Sequence, residues 1–317
     1  MGRYRRTVSF PNPPTPPVRP CANKGLHVRS ASLPCVRSHP LIPQLQDEVT
    51  ELRAWERARS GPGSGSVVNG LARLKGVLDS LDDVLQLPLT QDSLSTKTDV
   101  VERLLEDFLR FVDVYGRFRA SMLGLKQEVS AAQVALRRKD DSKLGQYIKA
   151  QKKIAGEVSK LITTIGSVPL QQPTPVNPAV IAVVSDYDDE LRHVIRDVHR
   201  LTASVTEAVF GSVSGFPGRR PVWASFGLGR KARKDEQGMI EEFQKVTGGV
   251  EDLLELRKNI KKKNSNNNNE EEVMRMGVLK GMQELEDCIG EMERESERVF
   301  RSLISTRVSL LNILTHA

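Results

Sequence analysis

The stretch VLKGMQELEDCIGEMERESERVFRSLISTRVSLLNI, residues 278–313, decides the fold class of this chain. Its apolar side chains recur at alternating spacings of four and three residues, which is the pattern of one helical face. Two positions of the series are polar, Ser296 and Thr306. The full series is Val278, Met282, Leu285, Ile289, Met292, Ser296, Val299, Leu303, Thr306, Leu310 and Ile313. The pattern predicts one long helix, and we call this series the C-terminal seam.

A second series of the same kind lies upstream, at residues 239–260, with one charged exception, Arg257. A polar run at 261–272 separates the two series and is expected to form a turn. Two heptad helices joined by a turn predict an antiparallel, coiled-coil-like hairpin at 235–317. The polar members of the C-terminal seam leave open whether the hairpin packs with the rest of the protein or stands apart. The heptad pattern also leads to the hypothesis that the chain self-associates through these helices.

Residues 41–210 carry further apolar stripes at helical spacing. They predict helices over about 43–59, 71–85, 95–138 and 142–165, and a further helix that begins after Pro178. Pro88 is expected to stop the second helix, and Gly116 to mark a break or kink in the third. Asp140-Asp141-Ser142 provides a cap for the fourth. No strand pattern of period two stands out. The predicted fold is therefore all-α, an elongated bundle of six to seven helices with the C-terminal hairpin.

The net positive charge of the chain comes entirely from its first forty residues. The net charge is +7, yet residues 1–40 hold seven basic side chains and no acidic one, and the remainder is balanced. Six prolines lie between Pro11 and Pro20, which excludes a helix there. We therefore predict a disordered basic Pro/Ser tail at 1–40. A neutral body does not suit nucleic-acid binding.

The residues that usually carry chemistry form no catalytic or metal-binding constellation in the sequence. No two of the three cysteines are spaced as a Cys-x-x-Cys pair. His193 and His199 lie on different sides of their predicted helix, so they do not share a face as metal ligands would. Adjacent acidic pairs point about 100° apart. We therefore predict no enzyme activity, cofactor or metal. The chain has neither a membrane-length apolar run nor a secretory signal, so a cytoplasmic location is expected. Nuclear or plastid locations are the alternatives, the latter from the acid-free tail.

One partner motif lies in the tail, at Arg29-Ser30-Ala31-Ser32-Leu33-Pro34. Arg29 stands three residues before Ser32, as basophilic kinases require, and phosphorylated Ser32 would carry nearly two negative charges. The pattern Arg-Ser-x-Ser-x-Pro is similar to the ligand motif of 14-3-3 proteins. The alternative is a chance match. Residues 14–19 have the form Pro-x-x-Pro-x-Arg, which matches one orientation of SH3 ligand. The alternative is that they form a stiff, solvated spacer.

A second candidate surface is the Gly/Ser loop predicted at 211–234. It carries two basic clusters and an aromatic side chain: Arg219, Arg220, Trp223, Arg230, Lys231, Arg233 and Lys234. Basic and aromatic residues together suit an anionic membrane surface. The cluster spacing is also near that of a bipartite nuclear import signal. In the plainest interpretation, the loop simply docks Trp223 on the body.

A set of short segments carries a family resemblance. The tail motif is followed by Arg37-Ser38-His39-Pro40, Leu52-Arg53-Ala54-Trp55-Glu56, Leu85-Gln86-Leu87-Pro88, Asp113-Val114-Tyr115-Gly116, Ala135-Leu136-Arg137-Arg138-Lys139 and the Trp223 loop. As a set they resemble the plant-specific family catalogued as domain of unknown function 241, grouped with the BYPASS-type developmental proteins. Tyr115 departs from the cysteine expected before Gly116. The resemblance implies a plant protein, an all-α domain and a link to root and shoot development. The leading prediction is a non-enzymatic interaction or regulatory protein.

Overall fold

The structure, a computed structural model, describes residues 39–58, 63–166, 186–215, 240–263 and 268–316. Within these ranges the chain forms helices and no strand, which confirms the all-α prediction. The helices are α1 (Leu41–Ala58), α2 (Ser64–Leu85), α3 (Pro88–Ser95), α4 (Thr98–Arg138), α5 (Asp141–Gly166), α6 (Asp186–Ser214), α7 (Glu241–Lys263) and α8 (Asn268–His316).

Local sequence explains the sharp turn between α4 and α5. Lys139 adopts a left-handed backbone with φ of 58°. The N–H groups of Lys139 and Asp140 return to the carbonyls of Leu136 and Ala135, which closes α4 with a Schellman motif. The Asp140 carboxylate then accepts the N–H of Lys143 at 3.1 Å and caps α5, as the sequence predicts.

Four boundaries differ from the sequence prediction. Pro88 does not only stop α2. It also begins the additional short helix α3, because proline suits the first helical turn. Helix α4 passes through Gly116 without a break. Most of the polar run at 261–272 is helical, since α7 ends at Lys263 and α8 begins at Asn268, and α6 continues to Ser214.

Helix α8 packs against α2, α4 and α7, and residues 37–317 form one compact unit. All members of the C-terminal seam are buried, with at most 6% of each side chain exposed. The α4–α8 pair runs antiparallel, with Arg119 paired to Glu297, and with Ser130 donating to Glu286 at 3.0 Å. The hairpin helices are thus integrated with the body through α8.

Polar groups beside the seam attach α8 to α2. Ser302 donates to Asp79 at 2.5 Å, and Ser305 and Ser309 both donate to Asp82, at 2.9 and 2.6 Å. Hydrogen bonds to an ionised carboxylate are stronger than neutral ones and fix the register of the two helices.

The remaining helices cover the other faces of α2 and α4. Helix α1 packs on α2 and α6, and α5 packs on α4 and α6. Across the α4–α6 contact, Phe118 and Phe210 stack with ring centroids 4.0 Å apart. Among the described residues, no helix combines the length and apolarity that a membrane span needs.

Candidate functional site

The predicted site residues lie outside the described residues. These are Arg29, Ser30, Ser32 and Pro34 of the tail, and Arg219, Arg220, Trp223, Arg230, Lys231, Arg233 and Lys234 of the loop. Both sets therefore stay predictions.

The structure does fix where the loop segment leaves and re-enters the body. The backbone N–H of Ile240, just before α7, donates to the carbonyl of Ser212 near the end of α6 at 2.8 Å. Ser64, at the start of α2, donates to Glu242 at 2.6 Å in the same region. The described residues on the two sides of 216–239 therefore lie close together.

The groups at this end of the body are buried and structural. Burial raises the pKa of the nearby Cys288 thiol to about 12, with a smaller contribution from Glu242. A thiol with so high a pKa is a poor nucleophile at neutral pH. Cys288 is thus a small core side chain.

A small cleft lies elsewhere, between α3, α4 and the first half of α6, with a cavity volume of about 50 Å³. Its apolar wall is formed by Leu94, Leu104, Leu191 and Ile195, each at most 6% exposed, and by the half-buried Val100. We call it the α3–α4–α6 cleft. Its volume is well below that of small-molecule sites in proteins, about 300–1,000 Å³, and leaves room for only a few water molecules.

Two charged pairs occupy opposite ends of the cleft. At one end the Nζ of Lys97 lies 3.0 Å from Asp188, which also accepts a hydrogen bond from Ser93 at 2.5 Å. At the other end the Nε2 of His199 lies 3.2 Å from the Oδ2 of Asp107. This distance suits a charge contact, although the two atoms do not meet the geometry of a hydrogen bond.

Among the described residues, no nucleophile lies beside the histidine–carboxylate pair. Ser93 is the hydroxyl that lines the cleft, and it is bonded to Asp188 at the opposite end. His193 is exposed and does not line the cleft with His199, in line with the different helical sides expected from their spacing. Among the described residues no group of three or more His, Cys, Asp or Glu side chains is arranged to hold a metal.

Sequence reasoning missed this cleft because its walls come from three separate helices. The one available signal was the spacing of Arg192, Arg196 and Arg200, which places three guanidinium groups in a column on α6. Such a column is also common on solvated helix faces, so the sequence alone does not distinguish the two.

The heptad side chains that suggested self-association instead pack against other helices of the same chain. In the described part, both seams are buried apart from the half-buried Ile260. A separate stripe on α8, Ile304, Val308 and Leu311, is 39–48% exposed at the same spacing. Self-association stays a prediction, and it depends on residues such as these rather than on the seams.

The helices from α2 to α8 also carry the match to a known family. The family model described as Protein BPS1 matches residues 70–313. The chain belongs to the BPS1 family. This is the plant-specific family of the resemblance, which confirms it. The match covers the α3–α4–α6 cleft and the loop at 216–239, whereas the tail motif lies before it. No curated protein and no solved structure matches the chain significantly.

Membership of the BPS1 family indicates a developmental regulator in plants, in a family of regulatory, non-catalytic proteins.

Proposed function

We propose that this chain is a non-enzymatic interaction protein in root and shoot development, and that phosphorylation of Ser32 switches its binding to a 14-3-3 protein. The observation that carries the proposal is the tail motif, Arg29-Ser30-Ala31-Ser32-Leu33-Pro34, which has both the kinase arginine and the ligand proline. A phosphoserine supplies the charge and acceptor oxygens that an arginine-lined pocket binds.

The body supports a scaffold role. Its candidate reactive groups serve structural contacts: Cys288 is buried, and His199 is 9% exposed beside Asp107. The described part of the body begins at His39, whose imidazole Nδ1 accepts the N–H of Leu41 at the start of α1. A phosphorylated tail on a rigid body is the arrangement a reversible partner switch needs.

The test is the affinity of purified full-length chain for a purified plant 14-3-3 protein, measured by calorimetry before and after treatment with a basophilic kinase. We expect binding only after phosphorylation, and a loss of at least about 100-fold in Ser32→Ala, because the phosphate makes the charged hydrogen bonds.

Ser38→Ala is the matched control. Ser38 lies in the same tail beside an arginine, Arg37, but the residue three positions before it is Cys35 instead of a basic residue. It should bind as the wild type does. Equal affinity of the phosphorylated wild type and Ser32→Ala would contradict the proposal.

A second candidate function is that of a peripheral membrane adaptor through the loop. Residues 216–239 hold six basic and two acidic side chains, and the described residues that flank them, Ser212 and Ile240, are in contact. Each Lys or Arg near an anionic bilayer contributes about 1 kcal/mol at low salt. The indole of Trp223 suits the interface.

Sedimentation with phosphatidylserine-containing vesicles tests this candidate. Changing Arg230, Lys231 and Arg233 to Gln should abolish sedimentation, and raising the salt should weaken it. The matched control changes Lys149, Lys152 and Lys153, which are exposed on α5, to Gln and should leave sedimentation intact. No sedimentation of the wild type at low salt removes this candidate.

A further inference from the structure

Helices α4 and α8 carry exposed apolar side chains on both sides of one half of their contact. Leu109 on α4 and Ile304, Val308 and Leu311 on α8 are each 37–48% exposed. A single exposed apolar side chain is ordinary on a protein surface, whereas several that adjoin mark a binding surface. We call these four side chains the α4–α8 patch.

The antiparallel register of α4 and α8 brings the four side chains together. The ring of Phe300 lies against Gly116, 3.6 Å from the position that a Cβ would take. This contact has the same register as the ion pair and the hydrogen bond that join the two helices further along. Two helical turns closer to the start of α4, the register places Leu109 opposite Arg307 and Val308. The other two members of the patch lie one turn of α8 to either side of Val308.

The charges that border the α4–α8 patch differ in sign between the two helices. On α4 the border consists of three exposed carboxylates, Glu102, Glu106 and Asp113, and no ion pair joins them to another described residue. The basic residues of the same stretch of α4 are paired within their own helix. On α8 the border consists of the exposed Arg301, which is paired within α8, and the half-buried Arg307. The patch therefore has an acidic side and a basic side.

Arg307 lacks a partner for its charge within the described part of the chain. No ion pair joins it to another described residue, and its Nε is buried and makes no hydrogen bond there. A buried donor on a charged group is costly when it stays unsatisfied. A carboxylate brought to this surface by a second molecule would remove that cost.

A surface with opposite charges on its two sides is complementary to itself about a two-fold axis. An axis parallel to the helices places α4 of one copy over α8 of the other, so that the acidic side meets the basic side and the apolar side chains meet between them. An axis perpendicular to the helices would instead bring the two α4 helices together, carboxylates against carboxylates. We propose that the chain forms a homodimer about the first axis, through the α4–α8 patch.

The first experiment is sedimentation velocity of the purified full chain at concentrations up to about 200 µM, which detects even a weak dimer. We expect a reversible monomer–dimer equilibrium. Val308→Glu should weaken dimerisation at least about tenfold, because it places a carboxylate in the apolar centre of the interface. Val308 is exposed in the single chain, so this variant should fold, and circular dichroism checks that it does.

Val273→Glu is the matched control for this variant. Val273 is 74% exposed on the same helix, and at 1.5 Å per residue it lies about 50 Å from the patch. It should therefore dimerise as the wild type does. An equal effect of the two variants would overturn the proposal.

Charge reversal tests the orientation of the two copies. Asp113→Arg and Arg301→Asp should each weaken the dimer at least about threefold, because the two-fold axis places each contact in the interface twice. The double variant should recover most of the loss, since the opposite charges then face each other again. In the perpendicular arrangement Asp113→Arg would instead strengthen the dimer, because it would face carboxylates of the other α4.

Two further outcomes contradict the proposal. A wild type that stays monomeric at every concentration would overturn it and assign the patch to another occupant. A double variant no better than the single ones would contradict the arrangement of α4 over α8. None of these results bears on Ser32 or on the loop, since neither belongs to the patch.

Discussion

Arg257, the charged residue of the apolar series at 239–260, offers the sharpest test of which contacts stabilise the helical body. It is 4% exposed, and it lies where α7 meets the start of α5 and of α8. Its Nη1 donates to Asp141 at 2.6 Å and its Nε to Glu271 at 3.0 Å. One side chain thus connects three helices, in a position where the heptad favours an apolar residue.

The cost of Arg257→Ala follows from these contacts. Asp141 is about one-third exposed and keeps Lys261 at 2.9 Å, so that contact contributes no more than a surface pair, about 0–1 kcal/mol. Glu271 is 13% exposed and keeps only the exposed Lys139 at 3.6 Å, so its hydrogen bond contributes about 1.5–3 kcal/mol. Burial of the stem adds about 0.8 kcal/mol per methylene. We expect a total loss of about 4 kcal/mol.

The assay is urea denaturation followed by circular dichroism at 222 nm. Arg103→Ala is the control and should lose less than about 1 kcal/mol, because both partners of its contact with Asp99 are exposed. Arg257→Met restores the stem and should lose about 2 kcal/mol. Adding Glu271→Gln to it should recover part of that loss, since the carboxylate is then no longer buried without its main partner. A loss below about 1 kcal/mol in Arg257→Ala, or a further loss in the double variant, would refute this reasoning.

Three further outcomes are expected. Gly70→Ala should destabilise the body by about 1–3 kcal/mol and alter the fluorescence of Trp55 in a Trp223→Phe background, because a Cβ at Gly70 would lie 2.3 Å from the indole. Cys288 should resist maleimide at pH 8 until urea unfolds the chain, since it is buried and its pKa is raised to about 12; labelling followed by mass spectrometry measures this. Burial alone would raise the pKa of Asp141, but hydrogen bonds from Lys261 and Arg257 hold it below its usual range. Its stabilising contribution is therefore present at neutral pH and lost as the pH falls through the acid range, so urea titrations of the wild type and Asp141→Asn should converge below about pH 4. A constant difference at all pH values would contradict this assignment.

The helices could be predicted because their signals are local. The spacing of the C-terminal seam, the cap at Asp140 and the stripe on α4 each act within a few residues, and the structure agrees with all three. Pro88 was rightly expected to end α2, but helix α3 was missed because proline both ends one helix and suits the first turn of the next. The choice between these roles depends on packing with other helices.

The candidate cleft was not predictable in the same way. In sequence, Leu104 and Leu191 are ordinary apolar residues of helical stripes. Only tertiary packing places them on one wall beside Arg196. Arg257 is similar, since the sequence marks it as an exception but does not identify Asp141 and Glu271 as its partners. Contacts between residues on different helices carry no local signal.

The attachment of α8 to α2 has a consequence for how the chain is made. The carboxylates of Asp79 and Asp82 receive their hydrogen bonds from serines 223 to 227 positions later. During synthesis the face of α2 that contacts α8 therefore emerges long before α8 does, and must stay unpaired or find temporary cover. At about 5–20 residues per second, that delay is on the order of ten seconds or more. We therefore expect that truncation within the last helix leaves this face of α2 uncovered, and that the nascent chain binds chaperones until α8 is complete.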